Sequence, residues 1–177
     1  MKIIISGASG LVGSALVPDL TNNGHDVIRL VRAPRQPSRG EAIWDPANGD
    51  LDPSVLEGAD VVINLNGRSI GQGRWNARIK DELRSSRIDA TTTIAAAIGR
   101  CDRPPSLLVN ASAVGFYGDR GDEVLDEGSA VGTGFLADLS RDWEQAAFAA
   151  QSNATRVVLL RLGMIVADGG ALEKMLL

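Results

Sequence analysis

A chain of 177 residues is long enough to bury one hydrophobic core, and its 44% hydrophobic and 23% charged residues are typical of a globular protein. The net charge of −4 argues against a nucleic-acid partner, and the single cysteine, Cys101, excludes an intrachain disulfide. The sequence shows no secretory signal and no apolar stretch of about 20 residues, so we expect a cytoplasmic protein without a membrane partner.

Short apolar segments alternate along the chain with longer segments of helical period. The pattern predicts strands at 2–6, 26–32, 41–45, 60–66, 105–112 and 155–163, and helices at 11–23, 76–99 and 132–151. Such regular alternation is typical of a parallel, doubly wound α/β sheet. We therefore predict a single Rossmann domain over residues 1–177, with six to seven strands and helices on both faces.

The segment SGASGLVG, at 6–13, lies in the turn between the first predicted strand and the first helix. Gly7 permits a sharp exit from the strand, Gly10 lets the backbone approach a pyrophosphate, and Gly13 lets the helix pack close to the sheet. A G-x-x-G-x-x-G spacing alone is also compatible with a turn that binds nothing. Its place in a strand–helix–strand unit favours dinucleotide binding.

The end of the second predicted strand indicates which dinucleotide binds. Sites for NAD usually carry Asp or Glu about 20 residues past the glycines, where the carboxylate holds the ribose 2′-hydroxyl. Here Arg32 occupies that position, and no acidic residue occurs between Val27 and Gly40. A guanidinium suits a 2′-phosphate because it can donate two parallel hydrogen bonds. We predict NADP(H) in preference to NAD(H); the alternative is a solvated surface arginine.

Several further motifs carry a resemblance to a known family. Together with SGASGLVG, the segments DVVINLNG (60–67) and ASAVGFYG (111–118) resemble the extended short-chain dehydrogenase/reductase superfamily. The segments RWNARIKDELRSSRIDAT (74–91) and DEGSAVGTGFLADLSRDWE (126–144) narrow the resemblance to an atypical branch of NAD-dependent epimerase/dehydratase type, the epimerase family proteins. Members of that branch are often called nucleoside-diphosphate-sugar epimerases or cell-division-inhibitor-like. The resemblance covers essentially the whole chain.

The resemblance implies an NADP(H) site built from three loops. The glycine loop would line the pyrophosphate, Arg32 would take the 2′-phosphate, and the loop after the fourth strand would hold the stretch from adenosine to nicotinamide. Arg87 would reach the same pocket, and Ser112 would face the nicotinamide. The implied cofactor residues are Gly7, Ser9, Gly10, Leu11, Val12, Gly13, Arg32, Asn64, Leu65, Asn66, Gly67, Arg87 and Ser112.

The catalytic residues of the superfamily are only partly present. Its members use a Ser or Thr with a Y-x-x-x-K dyad, in which the Lys cation lowers the pKa of the tyrosine so that it exchanges protons near neutral pH. Alignment on Glu144 places Leu136 and Ser140 where Tyr and Lys belong, so the dyad is missing. Ser112 and Tyr117 remain as candidate catalytic residues, although Tyr117 also suits a packing role.

Two functions therefore stay open at the level of sequence. The first is an NADP(H)-dependent oxidoreductase or nucleotide-sugar epimerase-like enzyme with a small polar substrate; the second is a non-catalytic NADP(H)-binding sensor or interaction module. The resemblance implies a substrate-binding lobe beyond this chain, so we expect these 177 residues to bind cofactor without turnover. We predict no metal site, and by analogy a homodimer formed through the helices at 76–99 and 132–151.

Overall fold

The computed structural model describes residues 1–32, 36–71 and 74–167. Six strands and three helices lie within these ranges: β1 (Lys2–Ser6), α1 (Leu11–Asn22), β2 (Asp26–Arg32), β3 (Glu41–Trp44), β4 (Val61–Asn64), α2 (Ala77–Ile98), β5 (Leu107–Ala113), α3 (Phe135–Phe148) and β6 (Arg156–Leu162). Short 3₁₀ turns cover Pro53–Val55 and Val114–Tyr117. Every predicted strand and helix is confirmed: both ends of β1 and β2 agree with the prediction, and the ends of the other elements differ by at most three residues.

Two predicted segments are longer than the elements observed by three residues or more. The predicted strand at 60–66 ends at Asn64, because Asn66 turns back so that its backbone N–H and its side-chain Nδ2 both donate to the side-chain oxygen Oδ1 of Asn64. The predicted helix at 132–151 begins only at Phe135. Gly134, at its start, has a φ of +99°, a left-handed conformation that cannot continue a right-handed helix.

The strands form one parallel sheet in the order β3-β2-β1-β4-β5-β6. In its centre Ile4 pairs with Ile28 on one side and with Val62 on the other. The chain thus moves outward from β1 in one direction and then from β4 in the opposite direction. This confirms the predicted Rossmann fold, and it places the switch point between the carboxyl ends of β1 and β4, where ligands bind in such sheets.

Helices cover both faces of the sheet, as predicted. Right-handed crossovers in opposite directions put α1 on one face and α2 with α3 on the other. On the α2 and α3 face, Ile4, Val62 and Leu108 are fully buried and pack in one cluster with Ile94. None of the described helices has the length and apolar character needed to cross a lipid bilayer.

A buried polar network lies beyond this apolar core, at the carboxyl ends of the central strands. Thr91 on α2 accepts hydrogen bonds from Asn64 Nδ2 and from Trp143 Nε1, both at 2.8 Å. Asn64 also donates to Asn110 Oδ1 at 2.6 Å, and Ser6 Oγ donates to Asn64 Oδ1 at 2.8 Å. The network fixes the ends of β1, β4 and β5 against α2 and α3, next to the switch point.

Candidate functional site

The glycine loop forms one wall of the site, and close backbone contacts explain its glycines. Gly7 has a φ of +75°, and a Cβ there would lie 2.6 Å from the backbone of Leu65. A Cβ on Gly13 would lie 2.4 Å from the carbonyl oxygen of Gly7. Gly10 is the N-cap residue of α1 and has no side chain that could accept hydrogen bonds from the first turn. The N–H groups of that turn and the helix dipole are therefore available to an anion.

A cleft of about 520 Å³ opens in front of this loop, between the ends of β1, β2 and β4 and one side of α2. Its lining joins five segments of the chain, and it includes seven of the predicted cofactor residues: Gly7, Ser9, Gly10, Arg32, Leu65, Asn66 and Gly67. A second cavity of about 250 Å³ lies between the glycine loop and the ends of β2 and β3, and Arg32 lines it as well. Leu11 and Val12 follow in the first turn of α1.

Asn64 and Gly13 do not line the cleft, but each of them holds a segment that does. The Asn64 side chain is fully buried, and its carbonyl oxygen accepts a hydrogen bond from Asn66 Nδ2 at 2.9 Å. It therefore holds Asn66, which does line the cleft, instead of lining it directly. Gly13 is buried where α1 crosses the loop, and its lack of a side chain permits that close packing.

Arg87 lies under the loop that follows β4. Its Nη2 donates to the carbonyl oxygen of Arg68 at 3.0 Å and its Nη1 to that of Leu83 at 3.1 Å, while the guanidinium packs over the ring of Trp143. A Cβ on Gly67 would lie 3.2 Å from Arg87 Cζ. Burial lowers the pKa of Arg87. Arg87 thus supports Gly67 and Arg68 from below.

Ser112 and Tyr117 belong to a separate cluster, outside the lining of the cleft. Ser112 Oγ donates to Glu144 Oε1 at 2.6 Å, and Tyr117 Oη accepts from Arg161 Nη1 at 3.0 Å. Glu144 and Arg161 join the two hydroxyls through an ion pair. Both candidate catalytic residues are buried, and both hydroxyls are engaged by charged side chains.

Sequence reasoning missed the role of Arg161, although a signal was present. The segment TRVVLLRLG is an apolar strand with Arg156 at its start and Arg161 in its interior, and a cation inside a half-buried strand needs a partner. The partner is Glu144, whose hydrogen bond raises the pKa of Arg161. The ring of Phe116 stacks on the guanidinium, with its centroid 3.6 Å from Arg161 Cζ.

Leu136 and Ser140, the α3 positions at which the resemblance would place Tyr and Lys, face the 3₁₀ turn after β5. A Cβ on Gly115 would lie 3.3 Å from Leu136 Cβ and 3.9 Å from Ser140 Oγ. Ser140 is buried. Within the described ranges, no group of three or more His, Cys, Asp or Glu side chains is placed to hold a metal ion.

A doubly wound parallel sheet with a glycine loop and a cleft at its switch point defines a Rossmann-type protein. The particular family follows from comparison with known proteins. The model of the NAD dependent epimerase/dehydratase family matches residues 3–175, and the chain belongs to that family.

Similar proteins carry the name that the sequence motifs suggested. Over 175 residues the chain is 45% identical to epimerase family protein Mb2239 of Mycobacterium bovis, a match that covers 98% of this chain and 57% of that protein. The chain thus spans less than two thirds of the length of this relative. The resemblance to the epimerase family proteins is confirmed.

Two solved structures are similar over nearly the whole chain. The human epimerase family protein SDR39U1 (isoform 2) with NADPH has a TM-score of 0.87 at 30% identity, and the match covers 99% of this chain and 58% of that one. The nucleoside-diphosphate sugar epimerase from Corynebacterium glutamicum has a TM-score of 0.83 at 38% identity, with 99% and 36% covered.

Proposed function

We propose that this chain is the NADP(H)-binding domain of an epimerase-family oxidoreductase or nucleotide-sugar epimerase. One observation carries the cofactor preference: Arg32 lines the same cleft as the glycine loop, at the end of β2 where sites for NAD hold a carboxylate. The presence of NADPH with human SDR39U1, at 30% identity, supports the same choice.

The residues present fit an extended dinucleotide. The backbone N–H groups at the start of α1 would hold the pyrophosphate, Arg32 the 2′-phosphate, and the loop at Leu65, Asn66 and Gly67 the sugar and ring beyond it. The bound cofactor would supply or accept hydride. The protein contributes orientation, through loops whose positions the buried Asn64 network fixes.

Thermal unfolding of the chain with NADPH, NADP, NADH and NAD tests this assignment, because a ligand that binds the folded state raises the midpoint by mass action. We expect a larger shift with NADPH than with NADH, and we expect Arg32→Ala to remove the difference. Arg156→Ala, at the amino end of β6 and far from the cleft, is the matched control. Equal shifts with NADPH and NADH that Arg32→Ala leaves unchanged would contradict the preference.

For catalysis in the whole protein, we propose Ser112 and Tyr117 as the groups that handle protons. Their common link to Glu144 and Arg161 supports a joint role. The same link favours the second candidate, a non-catalytic NADP(H)-binding module, because both hydroxyls are buried and engaged and Leu136 offers no proton. We further propose a cytoplasmic location, and pairing of two copies through α2 and α3, which size-exclusion chromatography tests.

NADPH oxidation by the longer protein, screened with sugar nucleotides and small carbonyl compounds, separates the two candidates. An enzyme that uses the pair should lose most of its turnover in Ser112→Ala and in Tyr117→Phe while it keeps its affinity for NADPH. Ser106→Ala, at the opposite end of β5, is the control. Turnover that survives both substitutions would reject the catalytic assignment, and no turnover with any substrate favours the module.

A further inference from the structure

Arg68 lies on the wall of the cleft formed by α2, and its backbone is fixed on both sides. Its N–H donates to Ser86 Oγ at 3.0 Å, and its carbonyl oxygen accepts from Arg87 Nη2 at 3.0 Å. The backbone of Arg68 is therefore held in place, and the residue lines the same cleft as Gly10 and Arg32. One end of the guanidinium is paired with Glu82. Its Nε is buried and has no hydrogen-bond partner among the described residues.

The positive charges near Arg68 are only partly paired with carboxylates. Glu82 is shared, since Arg78 Nη1 also binds its Oε1 at 2.9 Å from the solvent side. Arg87, directly below, makes its hydrogen bonds to backbone oxygens and a serine, with no carboxylate partner in the described part of the chain. Asp89 lines the cleft further along α2. Arg68 thus shares its carboxylate partner Glu82 with Arg78, while the Arg87 guanidinium beneath it adds a further positive charge. This excess of positive charge beside Arg68 favours an anion there.

We propose that Arg68 forms a diphosphate subsite on this wall, and that Glu82 holds its guanidinium until a ligand arrives. The Nε is buried while Arg68 is paired with Glu82, so a ligand reaches it only when the side chain turns away from Glu82. The freed Nε and a neighbouring Nη can then donate to two phosphate oxygens, because the guanidinium fork matches two oxygens in one plane. The proposal rests on the proposed function, since the subsite belongs to the same cleft. The diphosphate is either that of the dinucleotide or that of a nucleoside-diphosphate substrate.

Calorimetric titration of the 177-residue chain with NADPH, and with UDP in the presence of saturating NADPH, tests the subsite. Arg68→Ala should weaken one of the two ligands by about tenfold to hundredfold, the usual effect of losing charged hydrogen bonds. A loss confined to NADPH assigns the subsite to the dinucleotide, and a loss confined to UDP assigns it to a substrate. Arg78→Ala removes the other partner of Glu82 outside the cleft, and it should change neither affinity by more than about twofold.

Glu82→Gln gives a second and opposite readout. Release of Arg68 should strengthen the same ligand by about two- to fivefold, and this gain should vanish in the Arg68→Ala background. If Arg68→Ala does not fold, an unchanged or weakened affinity in Glu82→Gln overturns the subsite. Unchanged NADPH and UDP affinities in a folded Arg68→Ala variant overturn it as well. By contrast, a wild-type chain that binds no NADPH overturns the proposed function.

Discussion

Glu144 and Arg161 form a two-point ion pair in the interior of the domain. Arg161 Nε donates to Glu144 Oε1 at 2.8 Å and Nη2 donates to Oε2 at 2.9 Å, so that α3 is tied to β6. The two side chains are only 7% and 17% exposed. The pair also reaches β5 through Ser112 and the following turn through Tyr117, and it therefore connects four segments at one point.

Removal of one partner of this pair should be costly. Glu144→Ala would leave the Arg161 cation half buried and unpaired, and we expect the free energy of unfolding in urea to fall by about 3 kcal/mol. Arg141→Ala, which breaks an exposed pair with Asp138 on the same helix, should cost less than about 1 kcal/mol. Equal losses in the two variants would show that burial adds nothing to the value of the pair.

Thr91 should be more important than its size suggests. Thr91→Val keeps the shape of the fully buried side chain but leaves Trp143 Nε1 without its acceptor and removes one of the two acceptors of Asn64 Nδ2. We expect the free energy of unfolding to fall by about 2 kcal/mol. Thr92→Val, at the exposed neighbouring position, should change it by less than about 0.5 kcal/mol. A similar small effect at both positions would contradict the role given to the network.

A substitution at Gly13 tests the close packing of α1 against the glycine loop. Gly13→Ala would place a Cβ 2.4 Å from the carbonyl oxygen of Gly7, which is backbone and cannot rotate away. We expect a loss of about 1 to 3 kcal/mol of stability and a weaker titration with NADPH. Gly99→Ala, with its nearest neighbours at 3.7 Å and a φ of −66°, should be neutral in both measurements. Identical behaviour of the two alanine variants would refute the close approach.

In the turn after β3, the hydrogen bonds to the Asp45 carboxylate should be detectable as a lowered pKa. Asn48 Nδ2 donates to Asp45 Oδ2 at 2.7 Å and, together with the N–H of Ala47, it holds the pKa of Asp45 below its usual value. The charged carboxylate therefore contributes to stability above about pH 4, and the contribution is lost as the pH falls through the lowered pKa.

Carboxyl carbon NMR can follow Asp45 directly. In Asn48→Ala the pKa of Asp45 should rise towards its ordinary value, because the largest stabilising hydrogen bond to the carboxylate is gone. Asn153→Ala, far along the chain, should leave the titration of Asp45 as it is in the wild type. An unchanged Asp45 titration in Asn48→Ala would show that the backbone donors alone account for the shift.

The fold could be predicted from the sequence because the signals for strands, helices and the glycine turn lie within short segments of the chain. Apolar runs and their period fix strands and helices, and the turn at Gly7–Gly13 carries the steric demands that the structure shows. The ends of elements were less accurate where tertiary contacts decide. Asn66 leaves β4 because its side chain binds Asn64, which no propensity describes.

The candidate site could be predicted only to the level of its segments. Arg32, Leu65 and Gly67 meet at one cleft because parallel strands end at the same edge. Whether a side chain at that edge points into the cleft depends on the helix packed beside it. Ser112 points instead to Glu144 on α3, and Arg87 binds the backbone of Arg68. These directions are properties of helix packing, and a spacing pattern does not contain them.

The edge position of β3 has a consequence for how the cleft opens. This strand has four residues, pairs with β2 and has no second neighbour among the described strands, and it leads directly into Pro46 and Ala47 on the wall of the cleft. Local opening of such an edge requires less free energy than global unfolding. We therefore expect the same local opening of β3 to permit both the release of a ligand from the cleft and amide hydrogen exchange at Ala42 and Ile43. The glycine loop should keep its structure during this opening.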